Sequence, residues 1–485
     1  MAVDITQVDW ERRRFTMRRK SDFSMLPVII ALAWPTMLEQ LMQTAVQYID
    51  TAMVGSLGTQ AMAAVGATST VNWLVNSTVS ALGVGFLAYI AQAIGAKEPE
   101  KARRASAQAV TIVLLVGTVF TFVTTVLSGK VPVWMQVDPD IREMAARYFL
   151  ILYAPMLFRT ASILFGMVLR AAGDTKTPMR VSLAVNGINI VFNFFLIYPA
   201  HHLSIRGLAL TLPGAGWGVV GAAVASAIAY TYGGIAISLM FWRHRQISPR
   251  GQNFRPDWKI LRPCFRIALP NMLQRFATSF GYVAFASMIN SLGGTATAAH
   301  TIANTVESAF YIPGWGMQTA AATLAGNAWG ARDEEKLRGL TRAILPLEVG
   351  LMIVSGGLLF LAAPQLMHLF SRDPAVISLG ATVLRMVAVS EPFYGVPVVL
   401  EGVMQGVGNT VVPFLCNVSG MWGVRIVGTY ICTQRLGLGL ISAWGCMIGH
   451  NMLLFVLFTV YYLSGRWFPK TPYSVHPEPA GAGKA

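Results

Sequence analysis

Glu39, Gln43 and Asp50 stand at i, i+4 and i+11 in a run that is otherwise almost wholly apolar from Met25 onward. At 100° per helical residue the three fall within about 40° of one another, one narrow stripe on one face. A carboxylate in or beside hydrocarbon is costly unless it is paired or wet, and the chemistry it offers there is cation binding, of a proton or of Na+. The competing readings are a structural ion pair, or for Asp50 a solvated place at the outer end of the helix. Similar stripes recur: Asn72 and Asn76; Asn186, Asn189 and Asn193 at i, i+3 and i+7; His300, Asn304, Glu307 and Tyr311 at i, i+4, i+7 and i+11; and Glu391, Tyr394, Glu401 and Gln405 over a broader arc. Polar stripes on several apolar helices imply a polar cleft that these side chains line. His300 fits either a titratable cleft group or a hydrogen-bonded core histidine.

Other chemistry is not signalled. There is no GxxxxGK[ST] loop for nucleotide hydrolysis and no HExxH or other His/Cys/Asp grouping at metal spacing, so no cofactor is expected beyond a coupling ion. GVGNT and GAGWG read as tight turns beside helices. The four cysteines, Cys264, Cys416, Cys432 and Cys446, form no CxxC pair and read as small hydrophobes. Arg159, Arg275, Arg385 and Arg425 also lie in apolar runs and are expected to neutralise some of the acids.

The elements that must position these residues follow from composition. Of 485 residues 54% are hydrophobic and only 12% charged, about half the charged share of a soluble domain. Twelve apolar runs are long enough to cross a bilayer core about 30 Å thick: 25–50, 61–93, 105–128, 142–170, 177–199, 216–242, 262–290, 296–329, 340–363, 376–404, 411–434 and 440–464. Between these runs and in the two tails, Lys and Arg total 22 on one topological side and 4 on the other. That is the positive-inside pattern, which places both termini in the cytoplasm and the excess of +15 against anionic membrane lipids rather than nucleic acid. The polar, basic first 24 residues show no signal-peptide pattern. The expected division is a cytoplasmic tail (1–24), a six-helix lobe (25–242), a basic cytoplasmic linker (243–261), a second six-helix lobe (262–464) and a cytoplasmic tail (465–485).

The chain also repeats itself. At an offset of 235 residues, SLG at 56–58 meets SLG at 291–293, AQAIGAKEPEKAR at 91–103 meets GNAWGARDEEKLR at 326–338, and LRAAGDTKTP at 169–178 meets MQGVGNTVVP at 404–413. The first half carries an extra loop near 201–214. An even number of spans per repeat makes the repeats parallel, related by a pseudo-two-fold axis along the membrane normal. The expected fold is therefore an all-α integral membrane protein of twelve transmembrane helices in two parallel six-helix repeats around a V-shaped cleft, and transport by alternating access is the expected activity. The acids break the repeat: Glu39, Gln43 and Asp50 meet Gln274, Thr278 and Phe285, while Glu307 and Glu391 meet Asn72 and Met156.

IDTAMVGSLG on helix 1, LRAAGDTKTP after helix 4, its mate MQGVGNTVVP after helix 10, NGINIVFNFFLIYP on helix 5 and WGVRI on helix 11 resemble the multidrug and toxic compound extrusion (MATE) family over about residues 25–465. The resemblance implies an inner-membrane antiporter, taken as a monomer and not an enzyme, that expels amphipathic, often cationic drugs in exchange for H+ or Na+. It makes Asp50 the coupling-ion residue of the N-terminal lobe. The family often pairs that Asp with an Asn and an Asp on helix 5, where this chain has Asn189 and Asn193; a helix-7 acid of some members is absent near Thr278, and a helix-10 Asp of others is Tyr394 here. Loss of the second carboxylate tilts the reading from sodium toward protons. A flippase for lipid-linked saccharides, from the same superfamily, is the alternative; its pyrophosphate would need a basic cavity, whereas six intramembrane acids face four arginines here.

Overall fold

The computed structural model describes residues 25–135, 137–205 and 208–468, apart from the side chains of 67–70 and 201–213. The expected N-terminal tail, and all but the first four residues of the C-terminal one, lie outside the described residues. Helices underlie all twelve apolar runs: α1 (Leu26–Gly55), α2 (Thr59–Gly95), α3 (Pro99–Leu127), the short α4 (Val131–Trp134), α5 (Pro139–Tyr153), α6 (Met156–Ala171), α7 (Lys176–Ile197), α8 (Gly218–Arg243), α9 (Trp258–Asn290), α10 (Gly294–Phe310), α11 (Ile312–Gly330), α12 (Glu334–Phe370), α13 (Pro374–Val407), α14 (Val411–Arg435) and α15 (Leu440–Leu463). Among the described residues eight helices are long and apolar enough to cross a membrane, or nine if α5 and α6, bent by 48° at their break, count as one. α1 and α9 are long but carry the polar residues noted above, and the run 296–329 is divided at Tyr311 into α10 and α11. The α5–α6 break falls at Pro155, which lacks the N–H a continuous helix needs. α1 continues through Pro35 and ends at Gly55, which puts Asp50 inside the helix rather than at its outer end.

The repeat reaches down to single backbone angles. Gly58 and Gly293 have φ of 111° and 103°, Gly173 and Gly408 82° and 89°, and even the non-glycine pair Lys97 and Arg332 shares φ of 58° and 57°. Asp138 caps α5 by accepting from Asp140 N, and Asp373 caps α13 by accepting from Ala375 N. The extra loop of the first half is a hairpin, β1 (Pro199–Ile205) antiparallel to β2 (Leu208–Ala215). Two π-helical stretches, Ser419–Ile426 and Ile431–Arg435, interrupt α14, whereas its mate α7 is regular.

Two compact units divide the chain, and not at the linker. One contains residues 38–90 and 98–272; the other contains 25–37, 91–97 and 273–468. The start of α1 belongs to the second because Ile29, Leu32 and Ala33 are buried in a core with Met317, Ala320 and Ala321 of α11 and Val399 and Val403 of α13. The first unit centres on Val54, Val79, Phe149, Tyr153, Met156 and Ile197. Its linker segment is a built loop: Gln108 of α3 donates to Arg255 O (2.9 Å) and accepts from Asp257 N (2.9 Å), Thr111 donates to Phe254 O (2.7 Å), and Gln252 donates to Glu100 (3.0 Å). The expected linker residues 258–261 already belong to α9.

Within the second unit the ends of α2 and α11 meet backbone to backbone. A Cβ at Gly95 would overlap the Asn327 carbonyl, and a Cβ at its repeat mate Gly330 would overlap the Gln92 carbonyl. Gly95→Ala is expected to lower stability by about 1–3 kcal/mol, read as a lower thermal midpoint of the purified protein. Gly357→Ala, where a Cβ would meet nothing within 4 Å, should not lower it. Equal midpoints for the two variants would remove the close contact as a cause.

Candidate functional site

In the unit of residues 38–90 and 98–272, Asp50 of α1 meets the asparagine face of α7. Asn193 Nδ2 donates to Asp50 Oδ1 at 2.6 Å and to Asn189 Oδ1 at 3.1 Å, and Asn189 Nδ2 donates to Ser226 Oγ of α8 at 3.0 Å. The i, i+4 spacing of Asn189 and Asn193 lets the two amides touch along one face, and they are 6% and 1% exposed. Turning the Asn189 amide by 180° gives a second arrangement: its nitrogen donates to both Asp50 oxygens, at 2.8 and 3.1 Å, and its oxygen accepts from Ser226 Oγ at 3.0 Å. The two are chemically distinct. An amide oxygen facing a carboxylate is repulsive unless that carboxyl carries a proton to donate, so the first arrangement suits a protonated Asp50 and the second an ionised one. At the end of the same helix Tyr198 Oη donates to Met53 O (3.3 Å) and hydrogen-bonds Ser56 Oγ (2.9 Å), tying the SLG turn to the end of α7.

Glu39, on the same stripe, is elsewhere. Its carboxylate forms a 2.6 Å ion pair with Arg170 Nη2 at the end of α6, away from Asp50, with both side chains almost wholly buried. The repeat mates show the same junction in another chemistry: Gln274, mate of Glu39, donates to Glu401 (3.0 Å), as does Gln405, mate of Arg170 (3.0 Å), and Asn417 adds a third amide (3.2 Å). Gln43 donates to Ser182 of α7 at 3.3 Å. Asn76 is exposed and Asn72 half-buried with an unbonded Oδ1, and neither joins the Asp50 group.

The unit of residues 25–37, 91–97 and 273–468 holds the other acids. Tyr311 Oη donates to Glu307 Oε1 at 2.5 Å, one turn back on α10, and the Tyr311 and Tyr394 rings lie 4.9 Å apart. Glu391 of α13 and Glu348 of α12 are fully buried, and neither carboxyl has a hydrogen-bond partner among the described residues. Glu348 packs against glycines on two neighbouring helices: a Cβ at Gly314 or at Gly395 would lie 3.2 Å from its Oε1. His300 is packed edge-on between Phe285 (5.6 Å) and Trp444 (5.9 Å), its Nδ1 unbonded among the described residues. Asn304 is exposed.

Three of the four arginines singled out in the apolar runs lie over aromatic faces rather than in ion pairs. Arg159 lies 4.7 Å from the Tyr230 centroid, Arg385 lies 5.7 Å from Phe360, and Arg425 lies 4.2 and 4.8 Å from Phe285 and Tyr282. Arg170, Ser182, Tyr198, Ser226, Gln274 and Asn417 were not legible as site residues. Only the match of LRAAG to MQGVG, which sets Arg170 on Gln405, carried a signal.

Comparison with known proteins places this geometry. The sequence model of the MatE family matches residues 35–195 and again 270–431, two stretches whose starts are offset as the repeat is. A curated relative, "Probable multidrug resistance protein NorM" of Thermotoga maritima, is 26% identical over 439 residues, 90% of this chain and 92% of the relative. Two solved structures share the fold. "Crystal structure of MATE in complex with MaD3S" has a TM-score of 0.83 at 23% identity, covering 90% of this chain and 95% of that one. "Reverse polarity of binding pocket suggests different function of a MOP superfamily transporter from Pyrococcus furiosus" has 0.80 at 24%, with the same coverage. With both halves matched by one family and the fold shared over 90% of its length, the chain is a membrane transporter of the MatE, or multidrug and toxic compound extrusion, family.

Proposed function

We propose that the chain is a proton-coupled multidrug exporter of the inner membrane, which moves amphipathic, often cationic compounds outward by alternating access as protons enter. The observation that carries this is Asp50: a carboxyl mostly withdrawn from water, held only by neutral amides and with no ion pair among the described residues. Leaving a charge unpaired there is costly, so the group gains from binding a cation. Protonation reverses the best orientation of the Asn189 amide, which removes its donation to Asp50 and reverses the hydrogen bond between Asn189 of α7 and Ser226 of α8. A group whose bonding changes with its proton biases a conformational equilibrium by its differential affinity for the two states. One carboxylate without a second favours a proton over Na+, which is held by more oxygen ligands. Glu307, Tyr311, Glu391 and Tyr394 offer anionic and aromatic contacts suited to organic cations. The asparagine-rich stripe of Asn72 and Asn76, with Gln43, offers neutral ones. The basic faces and both termini are assigned to the cytoplasm by the positive-inside pattern.

The test is reconstitution. Proteoliposomes carrying a fluorescent cationic drug are given a pH gradient or a sodium gradient. Movement is expected under the pH gradient alone. Movement driven only by sodium would name the other ion, and none under either would favour the lipid-linked saccharide flippase.

A further inference from the structure

At the end of α8 the loop that leaves it folds into a cavity of about 250 Å³ lined by Arg103 of α3, Trp242 and Arg243 of α8, and His244, Arg245, Ser248 and Arg250. Four arginines line one small space. The ion pair to them among the described residues is Glu100 on Arg103 (3.3 Å), and that carboxylate is shared with Gln252. Like charges gathered this way repel unless an anion joins them, and the planar guanidinium fork fits the oxygens of a phosphate. The walls are fixed: Arg103 Nη2 donates to Arg245 O (3.2 Å), Ser248 Oγ donates to Trp242 O (2.7 Å), and Ile247 beneath them is fully buried. Burial holds the His244 imidazole below its usual pKa, against the opposing pull of Asp174, so at neutral pH it lines the space as an uncharged hydrogen-bonding group.

The surroundings of this cavity are those of a bilayer interface rather than of open solvent. Trp242 stacks on Phe254 at 6.4 Å, and Phe254 of the loop and Trp258 at the start of α9 are 42% and 69% exposed; aromatic rings favour headgroup depth. One turn back on α8, Leu239 and Met240 are 51% and 46% exposed, an apolar flank that leads straight from the cavity along the helix. A ligand with a phosphate at one end and hydrocarbon at the other would satisfy both. We propose that this cavity binds the phosphate headgroup of an anionic phospholipid, its acyl chains lying along α8.

The experiment uses the full chain in nanodiscs of phosphatidylcholine, with or without phosphatidylglycerol, and reads retained lipid by native mass spectrometry and stability by thermal midpoint. The wild-type protein is expected to retain phosphatidylglycerol selectively and to be stabilised by it. Arg243→Gln with Arg250→Gln, both exposed and neither holding the loop, should weaken that retention roughly tenfold or more. Arg332→Gln with Lys336→Gln, which removes two charges elsewhere, should leave it nearly unchanged. If the glutamine pair fails to fold, Arg250→Gln alone should still weaken retention, while Arg243→Lys with Arg250→Lys should keep most of it. No lipid preference in the wild type, or the same preference in the Arg243/Arg250 variant, would overturn the proposal. Stabilisation by inorganic phosphate in phosphatidylcholine equal to that by phosphatidylglycerol would overturn the lipid assignment in favour of a soluble anion.

Discussion

Asp50→Asn is expected to reduce gradient-driven drug movement in proteoliposomes to the level of protein-free vesicles while the purified protein keeps its thermal midpoint. The substitution is nearly isosteric, and the retained amide oxygen can still accept from Asn193, whose donor lies 2.6 Å away. Folding should therefore change by less than about 1 kcal/mol. What is lost is the one property an amide cannot supply, exchange of a proton. With no titration at residue 50, Asn189 has no reason to prefer one orientation in one state and the other in the next, so the pH gradient has nothing to act on. Drug binding itself should survive, since the acids and tyrosines assigned to it lie on other helices. Full retention of gradient-driven transport in a folded Asp50→Asn protein would sink the role given to this residue.

The second large effect concerns Glu39 and Arg170. Breaking a buried ion pair from one side strands the other charge, at roughly 3–5 kcal/mol. Glu39→Gln and Arg170→Gln should each lower the midpoint strongly. The double change should be milder than either single one, because it strands no charge and gives the junction the two residue types its repeat mates carry, Gln274 and Gln405. Recovery should be incomplete, since in the second half Glu401 lies between those glutamines and accepts from both. A double-mutant cycle on thermal or denaturant unfolding measures this coupling. Additive losses in the double variant would mean that the two charges act independently and that the 2.6 Å pair contributes nothing of its own.

Much of the frame was legible because it rests on composition and on repetition. A hydrocarbon solvent demands long apolar helices, and the 235-residue offset marked turn glycines such as Gly173 and Gly408, whose matching positive φ only the structure displays. The stripe argument went further than its physics allowed. Glu39 and Asp50 share a face, but eleven residues at 1.5 Å each separate them by about 16 Å along the axis, so one face held two sites. Arg170 could not be found from periodicity, because it closes a helix of its own rather than extending a stripe. Asn189 and Asn193 were set beside Asp50 by family resemblance, not by spacing. Ser226, one of five hydroxyl side chains on α8, gave no signal at all. The expectation that arginines in the apolar runs neutralise some of the acids fits Arg275, which acts electrostatically on Glu401, but it missed the aromatic faces over which Arg159, Arg385 and Arg425 lie, since a ring leaves no charge pattern in a sequence.

The meeting of Gly95 with Asn327 and of Gly330 with Gln92 has a consequence for ancestry. Each contact is the other with its halves exchanged, which is the defining property of an isologous dimer interface. An ancestral six-helix chain pairing with a copy of itself would have made this contact twice, with one glycine and one carbonyl from each subunit. Fusion of two such copies would turn a subunit interface into an internal one. In a fused chain a mutation need not appear in both halves at once, which permits an aspartate at position 50 in one half and Phe285 at its mate in the other.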